Sequence, residues 1–194
     1  MNMPYDGSTE VSDEALLVRF SNGDPVAARV LTARLAPRVL RFASRMLRDQ
    51  TEAEDIAQEA MLRLWRIAPD WQQGNAKVST WLYRVASNLC TDRLRRRRSV
   101  PLQSIEEPEN GRPTALSELV AADRAMALEA ALAKLPDRQR QAVVLRHLEG
   151  FTNPQIAEIL EIGVEAVESL TARGKRALAA ILSGRREELG YDED

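Results

Sequence analysis

The chain has one cysteine and one histidine among its 194 residues, and both scarcities narrow what it can do. A lone Cys90 excludes an intramolecular disulfide framework and any cysteine-based zinc cluster, and it suits a reducing compartment. The lone His147 lies in Val143-Val144-Leu145-Arg146-His147-Leu148 with no nucleophile context beside it, which reads as a packed or surface histidine rather than a catalytic one. No apolar stretch approaches the roughly 20 residues that cross a bilayer. The start, Met1-Asn2-Met3-Pro4-Tyr5-Asp6-Gly7, lacks both the basic end and the apolar core of an export signal, so a cytoplasmic protein without membrane contact is expected. Alternation of β-branched with polar residues is missing, which argues against strands. Phosphate-cradling loops and metal-ligand spacings are missing too, and the carboxylates fall on solvated helix faces, so no enzyme, cofactor or metal site is expected. Nor is there an excess of basic charge: the net charge is -2, and any nucleic-acid binding must come from a local patch.

What is present is helical periodicity. With 44% hydrophobic and 29% charged residues, the chain can bury one medium core or two small ones, and the expected fold class is all-α. Residues 1 to 11 read as a mobile start. Ser12 to Asn22 reads as a short helix with Leu16, Leu17 and Phe20 inward and Gly23 at its end. Asp24-Pro25 supplies an N-cap and a proline at the first helical position, opening a helix with Val30, Leu31 and Leu35 inside. Pro37 is expected to end or restart it before a segment Arg38 to Arg48. Thr51-Glu52-Ala53-Glu54 has capping-box spacing and is expected to open a helix to about Ile67 whose buried stripe is Ile56, Ala60, Leu64 and Ile67. Asp55, Gln58, Glu59 and Leu62 share another face at i, i+3, i+4 and i+7, an acidic surface holding one apolar residue. Pro69 stops the helix, a loop runs from Asp70 to Lys77, and Ser79 or Thr80 is expected to cap the next element.

That element begins Val78-Ser79-Thr80-Trp81-Leu82-Tyr83-Arg84-Val85-Ala86-Ser87-Asn88 and closes on Asp92-Arg93-Leu94-Arg95-Arg96-Arg97-Arg98. Leu82, Val85, Ala86 and Leu89 fall on one stripe, while Trp81, Arg84, Asn88 and Arg95 share the adjacent face. One face can pack and the other can touch nucleic acid. Guanidinium groups neutralise phosphates and release counterions, an amide such as Asn88 satisfies a donor and an acceptor on a base edge, and an indole offers a stacking surface. The plainer alternative is a solvated helix end whose arginines complement the macrodipole, but consecutive arginines repel one another and exceed what an end requires.

From Ser99 to Ser117 the chain is acidic, proline-punctuated and aperiodic, as a linker between two domains would be. Beyond it, helices are expected from about Leu119 to Lys134, from Asp137 to about Glu149, from Gln155 to Glu161 and from Val164 to about Leu182. Thr152 and Gln155 repeat the capping-box spacing, and Ile162-Gly163 is expected to supply the turn of a helix-turn-helix. An ordinary αα-hairpin would show the same spacing.

Three pieces then coincide: Asp49 to Trp65 (Asp49-Gln50-Thr51-Glu52-Ala53-Glu54-Asp55-Ile56-Ala57-Gln58-Glu59-Ala60-Met61-Leu62-Arg63-Leu64-Trp65), Thr80 to Asn88 with its basic end, and Leu135-Pro136-Asp137-Arg138-Gln139-Arg140 leading into the helix-turn-helix. Together they resemble the extracytoplasmic-function sigma factors, the minimal group of the sigma-70 family. The resemblance implies a region 2 domain over residues 12 to 98, a linker over 99 to 117, a region 4 domain over 118 to 184 and an acidic tail over 185 to 194. It further implies a protein that brings core RNA polymerase to promoter DNA under the restraint of an anti-sigma factor, in the cytoplasm at the nucleoid. Carried over position by position, it assigns Asp55, Gln58, Glu59 and Leu62 to the surface that docks on the clamp helices of the polymerase β′ subunit, and region 4 to the β flap. The loop from Trp71 to Thr80 with Asn88 corresponds to the capture of a base flipped from the -10 element. Trp81, Arg84, Arg93, Arg95, Arg96 and Arg97 correspond to the surrounding -10 DNA surface.

Thr152, Glu165, Glu168, Ser169, Arg173 and Arg176 correspond to the surface for the -35 element, with one departure. Many members have Gly-Thr-Val-Lys-Ser-Arg where this chain has Glu165-Ala166-Val167-Glu168-Ser169-Leu170, so carboxylate replaces positive charge beside the DNA. Glutamate can accept from a cytosine amino group but opposes the approach of phosphates. Those two acids fit a second reading, a sigma-like mimic that titrates an anti-sigma factor without promoter activity. The run Arg93 to Arg98 argues against it, since a decoy has no use for a phosphate-binding patch. A helix-turn-helix repressor would leave the first hundred residues without a role.

Overall fold

The computed structural model describes residues 11–72, 77–99 and 116–183, which contain eight α-helices and, among the described residues, no strand. The expected mobile start, most of the expected linker and the acidic tail lie outside the described residues.

Capping decides where the first helices begin. The Ser12 side chain accepts from the Ala15 N–H at 3.2 Å and opens α1 (Asp13–Ser21). Gly23, at φ 91°, makes the turn, and Asp24 then accepts from the N–H groups of Val26 and Ala27 to open α2 (Pro25–Leu47). Pro37 neither ends nor restarts that helix, contrary to expectation. A mid-helix proline costs about 3 kcal/mol, whereas each fully buried Leu, Val or Phe stabilises by about 2 kcal/mol. Leu31, Leu35, Val39 and Phe42 are all fully buried on either side of the proline, and their burial keeps the helix continuous.

Asp49, not Thr51, caps α3 (Gln50–Ile67), accepting from the Glu52 N–H at 2.9 Å. The Asp49 carboxylate, two residues upstream, takes the Glu52 amide and starts the helix earlier, so Thr51 sits inside its first turn. Ala53, Ile56, Ala57, Ala60, Met61 and Leu64 are buried against α2, with Ile67 only half-buried. After a 3₁₀ turn at Ala68–Asp70, α4 (Val78–Ser99) starts two or three residues earlier than a Ser79 or Thr80 cap allows. The Val78 N–H donates instead to Glu14 Oε1 at 3.0 Å, a side chain from α1 taking the part of the cap.

In the second half, α5 (Leu116–Ala133) begins inside the expected linker, and α6 (Asp137–Val143) passes into a π turn at Val144–Leu148 rather than continuing as α-helix to Glu149. The helix-turn-helix is α7 (Asn153–Leu160) and α8 (Val164–Ser183). Its turn is the expected Ile162-Gly163 together with Glu161, which takes the left-handed conformation at φ 55°. Gly174 has a packing role that periodicity hid: a Cβ there would lie 2.5 Å from Val143 Cγ2 and 3.3 Å from the Gln139 carbonyl oxygen, so its bare backbone is what lets α8 meet α6.

The two halves lie against each other, α4 on α7 and α2 on α5 and α6, and one apolar cluster runs from Leu16 in α1 to Val167 in α8.

Candidate nucleic-acid interface

The arginine-rich helix divides by face. Leu82 and Ala86 are buried against α2 and α3, with Val85 and Leu89 packed at the edge of that core. Trp81 and Arg84 are half-buried and Asn88 and Arg95 exposed, and their spacing puts them on one side of α4. Trp81 stands edge-on to Trp71 at 6.2 Å, so an indole corner borders the loop after the 3₁₀ turn. Residues 73–76 of that loop lie outside the described residues, Thr80 is buried at its far end, and Lys77 is exposed.

The arginines themselves divide into two sets. Arg97 donates to the Leu47 carbonyl at 2.8 Å and pairs with Asp49 at 3.1 Å and with Glu52, and Arg93 lies 3.6 Å from the same Glu52. Four residues apart, these two point at the acidic start of α3 and fasten the end of α4 to the α2–α3 turn. Arg95 keeps 79% of its side chain in solvent, with Asp92 beside it at 3.2 Å, and Arg96 is exposed as well. A pair that exposed contributes little, so Arg95 can exchange Asp92 for a phosphate at small cost. The run that looks uniform in sequence is half structural pin and half outward charge.

On α3 the structure brings together the four residues of the acidic face: Asp55, Gln58 and Leu62 are exposed, and Glu59 is partly covered by an ion pair with Arg63 at 2.7 Å. Leu62 is 48% exposed, among the larger apolar side chains left in water. Beside this face, Phe20 and Trp65 meet edge to face at 4.7 Å and line an open apolar groove with Ala28, Arg29, Thr32 and Ala33.

In the helix-turn-helix, Gln155 Oε1 accepts from the Thr152 N–H at 2.9 Å and completes a capping box at the start of α7. Glu165 and Ser169 are exposed, as is Glu168, whose Oε1 lies 3.5 Å from Asn153 Nδ2 across the turn. Arg173, Lys175 and Arg176 are exposed further along α8. The N-terminal end of α8 is therefore acidic and its middle basic. His147 is exposed, and loss of hydration together with Lys175 and Arg146 holds its pKa below the usual histidine range. Burial pushes the Cys90 thiol up to about 12, which leaves it an unreactive part of the core.

Reasoning from sequence missed the side chains that join the halves. Tyr83 is fully buried between Phe42 at 5.4 Å and Phe151 at 4.8 Å, and Gln141, 1% exposed, donates to Thr91 Oγ1 at 2.9 Å and Ser87 Oγ at 3.3 Å. A polar α4 face of Ser87 and Thr91 gives no periodic signal of burial, because its partner Gln141 lies 50 and more residues further along the chain.

Comparison with known proteins agrees with this arrangement. Residues 31–100 match the family Sigma-70 region 2, and residues 125–178 match Sigma-70, region 4. The chain is 34% identical to the ECF RNA polymerase sigma factor SigM of Mycobacterium tuberculosis, over 92% of this chain and 88% of that protein. It is 36% identical to the ECF RNA polymerase sigma factor SigW of Bacillus subtilis, over 73% of this chain and 81% of that one. Among solved structures, CnrH in complex with the cytosolic domain of CnrY shares the fold at a TM-score of 0.67 and 23% identity, covering 89% of this chain and 97% of that one. The sigma factor RpoE in complex with the anti-sigma factor NepR from Bartonella quintana does so at 0.63 and 19% identity, covering 80% and 96%.

Proposed function

This chain belongs to the extracytoplasmic-function sigma factors of the sigma-70 family, and from that premise we propose how its own residues divide the work of promoter recognition. It is a transcription initiation factor, not an enzyme, and it directs core RNA polymerase to promoters.

Region 2 docks through Asp55, Gln58, Glu59 and Leu62 on the clamp helices of the β′ subunit. Three polar groups around one exposed leucine give such a surface a greasy centre and a charged rim. Region 4 meets the β flap. On the DNA side, Asn88 and the stretch from Trp71 to Thr80, which runs into the first turn of α4, take an extruded -10 base, Trp81 offers it a stacking face, and Arg84, Arg95 and Arg96 hold the phosphates. Melting needs no chemical step: groups that bind the unpaired strand better than the duplex shift the equilibrium, and their binding offsets the loss of pairing and stacking. Thr152, Ser169, Arg173 and Arg176 face the -35 element, while Glu165 and Glu168 either accept from a cytosine amino group or weaken binding. An anti-sigma factor restrains the protein by covering these surfaces, and the protein acts in the cytoplasm at the nucleoid. Arg93 and Arg97 serve region 2 from within, as the pins of its basic helix.

The observation that carries this reading is the coexistence of two outward, chemically opposite faces on adjacent helices, acidic on α3 and basic on α4. Run-off transcription with core polymerase and genomic fragments tests it: discrete transcripts are expected, and none would arise from a mimic that only titrates an anti-sigma factor.

A further inference from the structure

One carboxylate serves two helix starts. Glu14 stands half-buried in the first turn of α1, and its Oε1 accepts from the Val78 N–H, the first amide of α4, at 3.0 Å. Its neighbour Asp13 pairs instead with Arg34 on α2 at 3.3 Å, and Arg34 also donates to the Val11 carbonyl at 2.6 Å. Leu16 and Leu17 are buried one turn further on. The start of α1 is thereby tied to α2 and to the core, and Glu14 reaches α4 from a fixed place. An acid in a first turn also complements the dipole of its own helix, but that role needs charge alone and no reach toward a second helix.

The first amides of a helix have no carbonyl of that helix to bond. Val78 is fully buried, so without an acceptor from elsewhere its N–H would regain water only by unwinding the turn to which it belongs. The next link in that turn is the Trp81 N–H, which donates to the Lys77 carbonyl at 3.0 Å. Trp81 meets Trp71 edge-on at 6.2 Å, and the Trp71 N–H donates to the Ala68 carbonyl at 3.3 Å, closing the 3₁₀ turn. α1 lies against that 3₁₀ turn and against α4, so both backbone turns that carry the indoles lean on it. Further along α4, Leu82, Tyr83, Ala86 and Cys90 are fully buried and hold the helix without help from Glu14. The influence of Glu14 is therefore confined to the first turn of α4 and the indole corner.

We propose that Glu14 is a positioning residue for capture of the unpaired -10 strand: from a helix assigned no contact with DNA, its carboxylate oxygen fixes the first turn of α4 and with it the Trp81 ring. A stacking face already in place loses no freedom when a base arrives, whereas a frayed turn has to be ordered by the binding itself. The cap thus favours the strand-separated complex over the duplex, in which Trp81 has no unpaired base to meet. What acts is the reach of an acceptor rather than its charge. The role in strand capture rests on the sigma-factor reading; the cap itself does not.

Three substitutions separate reach from charge. Glu14→Gln keeps the acceptor oxygen and loses the charge, Glu14→Asp keeps the charge on a side chain one methylene too short, and Glu14→Ala loses both. Aspartate suits a first helical turn, so that variant stays folded whatever alanine does there. Amide exchange at Val78 in the free full-length chain reads the bond. Permanganate reactivity of -10 thymines, with core polymerase and a cognate promoter, reads its consequence. With the alanine and aspartate variants, Val78 should exchange about fivefold faster and the thymines should be about fivefold less reactive, the usual effect of losing a helix cap, while closed-complex affinity stays near the parent's. The glutamine variant should follow the parent in all three. In a Trp81→Ala background, Glu14→Ala should lower reactivity no further, because the cap acts through that ring. Unchanged exchange at Val78 in the alanine and aspartate variants overturns the cap. Faster exchange with parental reactivity, a glutamine variant as defective as alanine, or additive losses with Trp81→Ala overturn the positioning role. Thymines left unreactive by the parent chain would overturn the sigma-factor reading and the role that rests on it, while exchange at Val78 still decides the cap, so the failures are distinguishable.

Discussion

Arg95→Ala and Arg97→Ala, two residues apart in one basic run, should do opposite things. Arg97 is 28% exposed and donates to the Leu47 carbonyl and to Asp49 and Glu52. Hydrogen bonds to charged groups contribute about 1.5–3 kcal/mol, and partial exposure reduces this to about 1–2 kcal/mol for the set. For a chain of this size that corresponds to a fall of roughly 3–6 °C in Tm. Arg95, with 79% of its side chain in water, has almost nothing to lose in stability, but each phosphate contact removed should flatten the dependence of log K on log salt by about 0.7–0.9. Calorimetry on the free variants and salt titration of promoter binding by reconstituted holoenzyme read the two effects separately. Arg97→Ala should move Tm and spare the salt slope, and Arg95→Ala the reverse. If both variants flattened the slope equally with Tm unchanged, the division of the run into pin and outward charge would be wrong.

Further outcomes follow from the same geometry. The Asp55→Lys, Glu59→Lys double variant should lose at least tenfold in affinity for core polymerase with helix content unchanged, because both positions lie on the outer face of α3; unaltered binding of the folded variant removes that surface from the interface. Gly174→Ala should lower the stability of region 4 by about 1–2 kcal/mol, since overpacking against Val143 and the Gln139 backbone costs up to about 3 kcal/mol while the gain in helix propensity is about 1 kcal/mol; a raised Tm would mean α6 and α8 have room to separate. Glu168→Lys should strengthen binding to -35 DNA and broaden promoter use by removing repulsion at the start of α8, as fluorescence anisotropy on promoter variants would show. Loss of all specific binding in that variant would make Glu168 a base-reading residue instead.

Periodicity identified the helices and the buried stripes wherever one residue type carries the signal, as with Ile56, Ala60 and Leu64 on α3. It failed where long-range packing overrides a local rule. Pro37 breaks a helix in isolation but not one whose flanking turns are buried on both sides, and Asp49 displaces Thr51 as a cap because its carboxylate takes the Glu52 amide and starts the helix two residues earlier. The motif-bearing surfaces could be read because their chemistry is local: an acidic face at i, i+3, i+4 and i+7, and a basic one beside it. The closure of the two halves could not. Glu149 is a lone acid at the end of an ordinary helix in sequence, and only the fold brings Tyr83, Arg38 and Arg45 to it from 66 and more residues away. The divided duty of the arginine run was hidden for the same reason, since the acids that hold Arg93 and Arg97 are the cap of α3, Asp49, and Glu52 in its first turn.

Permanganate footprinting of a cognate promoter, with core polymerase and either the parent chain or Asn88→Ala, bears most directly on the central claim that exposed α4 residues capture an unpaired base. The parent should make thymines around the -10 element reactive. Asn88→Ala should bind the closed promoter within a few-fold of the parent yet leave those thymines at least tenfold less reactive. Equal reactivity with the two proteins would contradict the account, because strand opening would then owe nothing to the face of α4 on which Asn88 stands.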